Sequence, residues 1–297
     1  MNIIFNIQGG IGKCVAATAV CEVIKKQYPE SKLIVVSMYP DVFINNPNVY
    51  RSLLLTNLNY FYSDYIDGQE FKILSHDPYL ETNYVKQDTH LIKVWCEMFG
   101  LTYNNEKPKI YLTQEEIKFF SAKYQSNLPI LVIHTNGGAP NQVNKYSWAR
   151  DIPESNIIDV INEFSKTHVI AHIKSGDQKT YPNTVPVTDS FRSIITLLMM
   201  SDKRLLIDSF AQHVCAALDL PSTVLWVANK PEVLGYELHD NIIANTETKV
   251  PDLKYSFFAK YDITGDLIQF PYNNENEIFN SNTIIESLKN QKNGKLN

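Results

Sequence analysis

Branched apolar runs alternate along this chain with stretches whose apolar side chains recur every three or four positions, and the alternation restarts once, near Pro129. Asn2 to Ile7 is strand-like and is closed by Gln8-Gly9-Gly10; Cys14 to Gln27 follows with Val15, Ala19, Val20, Val23 and Ile24 at helical spacing. Lys32 to Met38 is a continuous apolar run of the kind that a parallel strand shows when both of its faces are covered. Together they predict a βαβ unit with a tight turn at the carboxyl end of its first strand. Between Tyr39 and Asp88, Tyr60 to Tyr62 and Phe71 to Leu74 predict short strands among long loops. Thr89 to Phe99 predicts a helix, Pro108 to Leu112 a brief strand, and Thr113-Gln-Glu-Glu116 a capping box that opens a helix running to about Lys123.

A polar link, Tyr124 to Leu128, precedes the apolar run Pro129 to His134, which ends in Thr135-Asn136-Gly137-Gly138. Helix Ile157–Ser165, strand Val169–Ile173, helix Ser190–Met200, strand Leu205–Ile207, helix Ala211–Leu218 and strand Thr223–Val227 are then expected in turn, the signature of a doubly wound parallel sheet. With 297 residues the chain has room for two α/β domains, placed at 1–125 and 129–280. A last helical segment, Asn282 to Asn290 within 281–291, is expected to pack back on the first domain.

The 44% hydrophobic and 20% charged fractions are those of a globular protein, without the roughly 18 uninterrupted apolar residues that a membrane span needs. The N-terminus runs straight into a strand with no basic, apolar and small-residue leader, so a cytoplasmic location is expected, in a bacterium or a phage-infected host. Cys14, Cys21, Cys96 and Cys215 have neither C-x-x-C spacing nor a nearby histidine; they read as small buried hydrophobes, and no metal site is expected. Against 27 Lys and Arg stand 32 Asp and Glu, a formal charge of −5, so nucleic acid is not a favoured partner, although a local basic groove stays open.

Gln8-Gly9-Gly10-Ile11-Gly12-Lys13-Cys14 invites a P-loop reading, because a glycine turn after a strand presents backbone N–H groups to phosphate. Two positions depart from that motif: Ile7 stands where glycine is wanted, and Cys14 where a magnesium-binding hydroxyl is wanted. Arg204 to Asp208 could imitate its acidic partner strand, but lies in the other half. The alternatives are that Gly9, Gly10 and Gly12 let the loop approach a ligand between two domains, or that they form a turn with no ligand.

Three polar clusters fall at carboxyl ends of predicted parallel strands, where open α/β sheets bind ligands. Thr135-Asn136 offers a hydroxyl and an amide, and Lys145 follows in Lys145-Tyr146-Ser147-Trp148 as a cation within reach of phosphate. Lys174 ends a buried strand, so it is either solvated at the rim or paired with an anion. Asp208-Ser209-Phe210 opens a helix whose N-terminal N–H groups suit phosphate oxygens, with His213 on the same side as Ser209; the competing role for Asp208 and Ser209 is helix capping.

These clusters carry a resemblance. Gly10-Ile-Gly12 followed by Ala16-Ala17-Thr18-Ala19, the Lys145 to Trp148 element, and above all Asp208-Ser209-x-x-x-His213-x-x-Ala216-Ala217-Leu218 resemble glycosyltransferase family 9, the heptosyltransferases, and also family-9-like proteins of phages and marine microbes. The resemblance implies a GT-B fold, two Rossmann-like domains with parallel sheets facing across a cleft. It implies a nucleotide-diphosphate sugar as substrate rather than a cofactor, a hydroxyl acceptor (a glycan, a lipid-linked sugar or a modified DNA base), and inverting transfer without a metal. Asp208, Ser209 and His213 would bind the diphosphate and ribose side of the donor, Lys145 would neutralise phosphate, and Thr135 and Asn136 would hydrogen-bond it. The family's presumed base, an aspartate after the N-terminal glycine, is Lys13 here, which leaves Asp41 and Asp77 as substitute bases; Asp beside Pro also serves turns. Phe210 replaces a family glycine, where it would crowd the donor or stack on it. A catalytically silent nucleotide-sugar binder is the reading that Lys13 motivates. Nucleotide, sugar, acceptor and oligomeric state are not legible.

Overall fold

A computed structural model describes residues 1–137, 150–245 and 272–292. The first sheet is formed by β1 (Asn2–Ile7), β2 (Lys32–Ser37), β3 (Arg51–Leu54) and β4 (Phe71–Leu74), all parallel, in the order β3-β2-β1-β4. Its helices are α1 (Ile11–Gln27), α2 (Phe61–Tyr65), α3 (Thr82–Val85), α4 (Leu91–Met98) and α5 (Gln114–Ser121). The second sheet, also parallel, comprises β5 (Ile130–His134), β6 (Val169–Ile173), β7 (Val185–Val187), β8 (Lys203–Ile207), β9 (Thr223–Trp226) and β10 (Asp240–Ile243), in the order β10-β9-β8-β5-β6-β7. It carries α6 (Glu154–Phe164), α7 (Phe191–Met200), α8 (Phe210–Ala217), α9 (Pro231–Leu234) and α10 (Ser281–Asn290). The fold is thus two Rossmann-like α/β domains, each built on a parallel sheet.

Continuous apolar runs mark the central strands because helices cover both faces: β5 is buried at every position, and β1, β2 and β8 at nearly every one. Helix α1 shows the same all-round burial from Lys13 to Cys21, since it lies between its own sheet and α8 of the other domain. Its small residues Ala16, Ala17 and Ala19 permit that approach, and one apolar cluster runs from β1 through α1 and α8 to Leu206, Val224 and Trp226. All four cysteines are buried and unpaired.

Several expectations are corrected. Tyr60 to Tyr62 is no strand: Tyr60 adopts φ +60° and leads into α2. Pro108 to Leu112 joins no sheet; Lys109 N–H donates instead to the Thr18 hydroxyl of α1 at 2.9 Å. Three of the four edge strands, β3, β7 and β10, had no visible signal, being short and half exposed. Helix α10 packs on α6, β8 and β9 rather than on the first domain: Ile284 and Leu288 enter the second core, and Asn156 Nδ2 donates to Ser281 Oγ at 2.8 Å.

A clasp joins the domains beside the apolar seam. Arg192 of α7 reaches Glu116, the capping-box residue of α5, through Nε at 2.5 Å and Nη2 at 2.8 Å, and also donates to the carbonyls of Tyr111 (2.7 Å) and Asp41 (3.2 Å). The guanidinium is the main reason that the Glu116 carboxyl is held below its usual range. Tyr124 and Lys123 bind Asp189 in the same region. Removing a largely buried ion-pair partner strands the groups it satisfied, so Arg192→Ala is expected to cost about 3 kcal/mol of stability. Urea unfolding measures this, and a loss below about 1 kcal/mol would show the clasp to be incidental.

Candidate functional site

In each sheet the chain order reverses once, between β1 and β4 in the first and between β5 and β8 in the second. Loops leaving the strands that flank such a reversal diverge and open a crevice, the usual ligand position in parallel α/β sheets. Here the two crevices share one cleft of about 730 Å³, lined from the first domain by Gly10, Ile11, Gly12, Lys13, Tyr39, Tyr79 and Tyr84. From the second come, among others, His134, Asn136, Gly137, Arg150, Lys174, Asp208, Ser209, Phe210, His213 and Asn229. The volume lies within the roughly 300–1,000 Å³ common for small-molecule sites.

Two helix N-termini meet in this cleft. The N-cap of α1 is Gly10 and that of α8 is Ser209; neither supplies a side-chain capping bond, and neither first turn holds an acid. Ser209 therefore does not play the capping role that its sequence position allowed. A Cβ on Gly12 would stand 3.1 Å from Phe210 Cα and 3.1 Å from His213 Cδ2, so glycine is what lets the two helices touch. Gly9 is required for another reason: its φ is +108°, and a Cβ there would meet Lys13 Cδ at 3.0 Å. Gly10 is under neither constraint.

Lys13 projects from the first turn of α1 and is 5% exposed. Its ammonium lies 2.5 Å from Asp77 Oδ1 and 4.1 Å from the centroid of Tyr79. Burial lowers its pKa, and the bond to Asp77 opposes that shift. Asp77 follows β4 and also accepts from Tyr79 N–H at 3.0 Å, so it caps a turn and pairs with Lys13 through the same oxygen. Neither carboxylate is itself part of the cleft lining: Asp77 borders it through its bonds to Lys13 and Tyr79, whereas Asp41 is exposed, with its carbonyl engaged by Arg192.

The second-domain candidates divide. Lys174, Asp208, Ser209, Phe210, His213 and Asn136 all line the cleft. Thr135 does not: it is wholly buried, its hydroxyl donating to Asn136 Oδ1 (2.7 Å) and receiving the Nε2–H of His172 (2.8 Å). Asn136 is further tied down by Asp151, which accepts from Asn136 Nδ2 at 3.0 Å and from Gly137 N–H at 2.8 Å. Lys174 Nζ donates to Thr180 at 2.9 Å. Asp208 is buried; burial pushes its pKa up, while the charge of Arg150 and a hydrogen bond from Asn229 Nδ2 pull it down. A carboxylate so placed suits sugar hydroxyls or a cation better than phosphate. Burial pulls His213 down to about 3, so its ring is neutral; Nδ1 lies 2.8 Å from the Tyr236 hydroxyl. The Phe210 ring rests beside His134 and Phe191. Lys145 and Trp148 lie outside the described residues.

Arg150, Asp151 and Asn229 carried no sequence signal. Arg150 lies so close over Gly137 that a Cβ there would stand 2.3 Å from its Cδ, and its charge acts on both His134 and Asp208. The nucleotide-hydrolase reading fails on geometry. Arg204 to Asp208 belongs to the second sheet, the Arg204 guanidinium is spent on the carbonyls of Leu198, Ser201 and Pro221, and the Cys14 thiol is fully buried and pushed up to about 12.

No family model matches the chain, and no curated protein sequence does. Solved structures do. A family 9 glycosyl transferase from Veillonella parvula superposes with a TM-score of 0.65 at 14% identity, covering 97% of this chain and 96% of that one. E. coli ADP-heptose lipopolysaccharide heptosyltransferase II gives 0.67 at 11% identity over 97% and 98%. A second E. coli heptosyltransferase, determined with ADP, gives 0.56 at 10% identity over 82% and 94%. At such identities the likeness is one of fold, and that fold is GT-B.

Proposed function

We propose that this protein is a glycosyltransferase that moves a sugar from a nucleotide-diphosphate donor to a hydroxyl acceptor with inversion, as in the heptosyltransferase family. The observation that carries the reading is the shared cleft, whose lining combines two uncapped helix N-termini with the cations Arg150 and Lys174 and the carboxylates Asp189 and Asp208; the N-termini and cations are assigned to a departing diphosphate. In the transfer the acceptor oxygen bonds to the anomeric carbon, the bond from that carbon to phosphate breaks, and the nucleotide diphosphate leaves with the electron pair. Charge grows on the leaving oxygen, and donors fixed in advance stabilise it. Among the described residues no group of three or more His, Cys, Asp or Glu is placed to hold a metal ion, and the reading assigns this charge to the helix ends and cations. The acceptor proton goes to Asp77: Lys13 and Tyr79 N–H both bind Oδ1, which leaves Oδ2 as the accepting oxygen. Asp208 and Asn229 are assigned to the donor's ribose, and Phe210 to the wall beside it. Among the described residues no helix is long and apolar enough to cross a membrane, and the donor and acceptor are the partners proposed.

A panel of nucleotide-sugars in a thermal-shift assay tests the proposal, because a ligand at one hundred times its dissociation constant adds about 2.7 kcal/mol to stability. Melting unmoved by every member would overturn it. Arg150→Ala is expected to weaken donor binding roughly 10- to 100-fold, the worth of a charge-assisted hydrogen bond, in titration calorimetry.

A further inference from the structure

The two walls of the cleft differ in how many charged groups they hold, and this bears on the acceptor. From the second domain the described lining includes four charged residues, the cations Arg150 and Lys174 and the carboxylates Asp189 and Asp208. From the first it includes one charged residue, Lys13, and that ammonium is matched by Asp77 at 2.5 Å. The rest of the first wall is backbone, Ile11 and the tyrosines 39, 79 and 84. Tyr84 is 1% exposed, and Tyr79 is stacked on it at 4.6 Å between centroids while Lys13 lies over the Tyr79 ring. Tyr39 differs: it follows β2 at the mouth and is 39% exposed.

A phosphorylated or polyanionic acceptor needs cations of its own, since phosphate contacts dominate the binding of such chains. This wall has no unmatched cation among its described lining residues, and the whole chain carries a formal charge of −5. An uncharged sugar ring needs the opposite, an aromatic face for its C–H groups and hydroxyl partners at the edge. Resting on the transferase reading above, we infer that the acceptor is an uncharged glycan whose terminal sugar stacks on Tyr39, with the reactive hydroxyl turned toward Asp77.

The test uses the full chain with a donor identified by thermal shift, and compares three acceptor sets: neutral oligosaccharides, the same sugars bearing phosphate, and single-stranded DNA. Transfer is expected to the neutral set, with an acceptor KM that changes less than about twofold between 50 and 500 mM salt. Tyr39→Ala is expected to raise that KM roughly tenfold while donor affinity stays within about twofold; Tyr39→Phe, which keeps the ring, is expected to restore KM to within about threefold. Transfer confined to phosphorylated sugars or DNA, or a KM indifferent to loss of the ring, overturns the inference and leaves the transferase reading intact. Failure of every nucleotide-sugar to bind would instead remove the transferase reading, and this inference with it.

Discussion

Asp77→Asn is expected to lower kcat by about 10²- to 10⁴-fold, the usual contribution of a positioned general base, while donor affinity changes by less than about twofold. Asparagine keeps the shape of the side chain and an oxygen that can accept from Tyr79 N–H, so the turn after β4 should hold. What it removes is a carboxylate able to take the acceptor proton. Asp41→Asn serves as the contrast and is expected to leave kcat within about twofold, because Asp41 is exposed, whereas Asp77 is half-buried and bonded to Lys13 of the cleft lining. Initial-rate kinetics with calorimetric donor titration on both variants separate the outcomes. Equal turnover in Asp77→Asn and the unmodified protein would eliminate the base assignment. Donor binding with no turnover in any form would favour a silent binder.

Melting temperature is expected to fall steeply as pH drops from 7 to 5. His134 and His213 are pulled down to about 3 by burial, and His172 and His239 to about 4, also by burial. Hydrogen bonds hold the neutral forms: His172 donates through Nε2 to Thr135 and His239 through Nε2 to the Gln212 carbonyl, and in each the Nδ1 lone pair is buried without a partner. A histidine whose folded pKa lies below its unfolded value of about 6.5 binds protons more readily in the unfolded chain. The stability it contributes is complete above pH 6.5 and is lost as pH falls toward 4 or 3. At pH 5 the loss is about 2 kcal/mol for each such histidine, so that four together lose about 8 kcal/mol, within the roughly 5–15 kcal/mol that typically holds a domain folded. Asp208 works in the opposite sense, because burial raises its pKa, but it is one group against four. Calorimetric melting between pH 7.5 and 4.5 checks this, and a curve flat to pH 5 would show that the rings are not held neutral.

The strong central elements were legible because their burial is recorded locally. A strand covered on both faces needs consecutive apolar residues, as β5 and β8 have, and the capping box at Thr113 is complete within four residues. Of the four edge strands only β4 was legible, from its apolar Phe71 to Leu74; β3, β7 and β10, short and half exposed, carry no period. For α10 the sequence announced a helix but not its neighbour. The polar clusters at strand ends could be found one by one, and most of them do line the cleft, yet Thr135 turned inward to His172, and Arg150, just beyond the Lys145 to Trp148 element, had not been singled out.

The sequence by itself determined the buried central strands and the longer helices and that chemistry-bearing residues stand at the ends of strands, since periodicity reports whether a residue's own side chain is covered. Only the tertiary structure decided who meets whom: Lys13 with Asp77 across 64 positions, Glu116 with Arg192 across 76, and Gly12 with the first turn of α8. The reason is strand order. Placing β4 beside β1 and β8 beside β5 is a long-range choice, made by the sum of packing and pairing over whole sheets, and it brings distant loops to the same crevice without leaving a mark on either one.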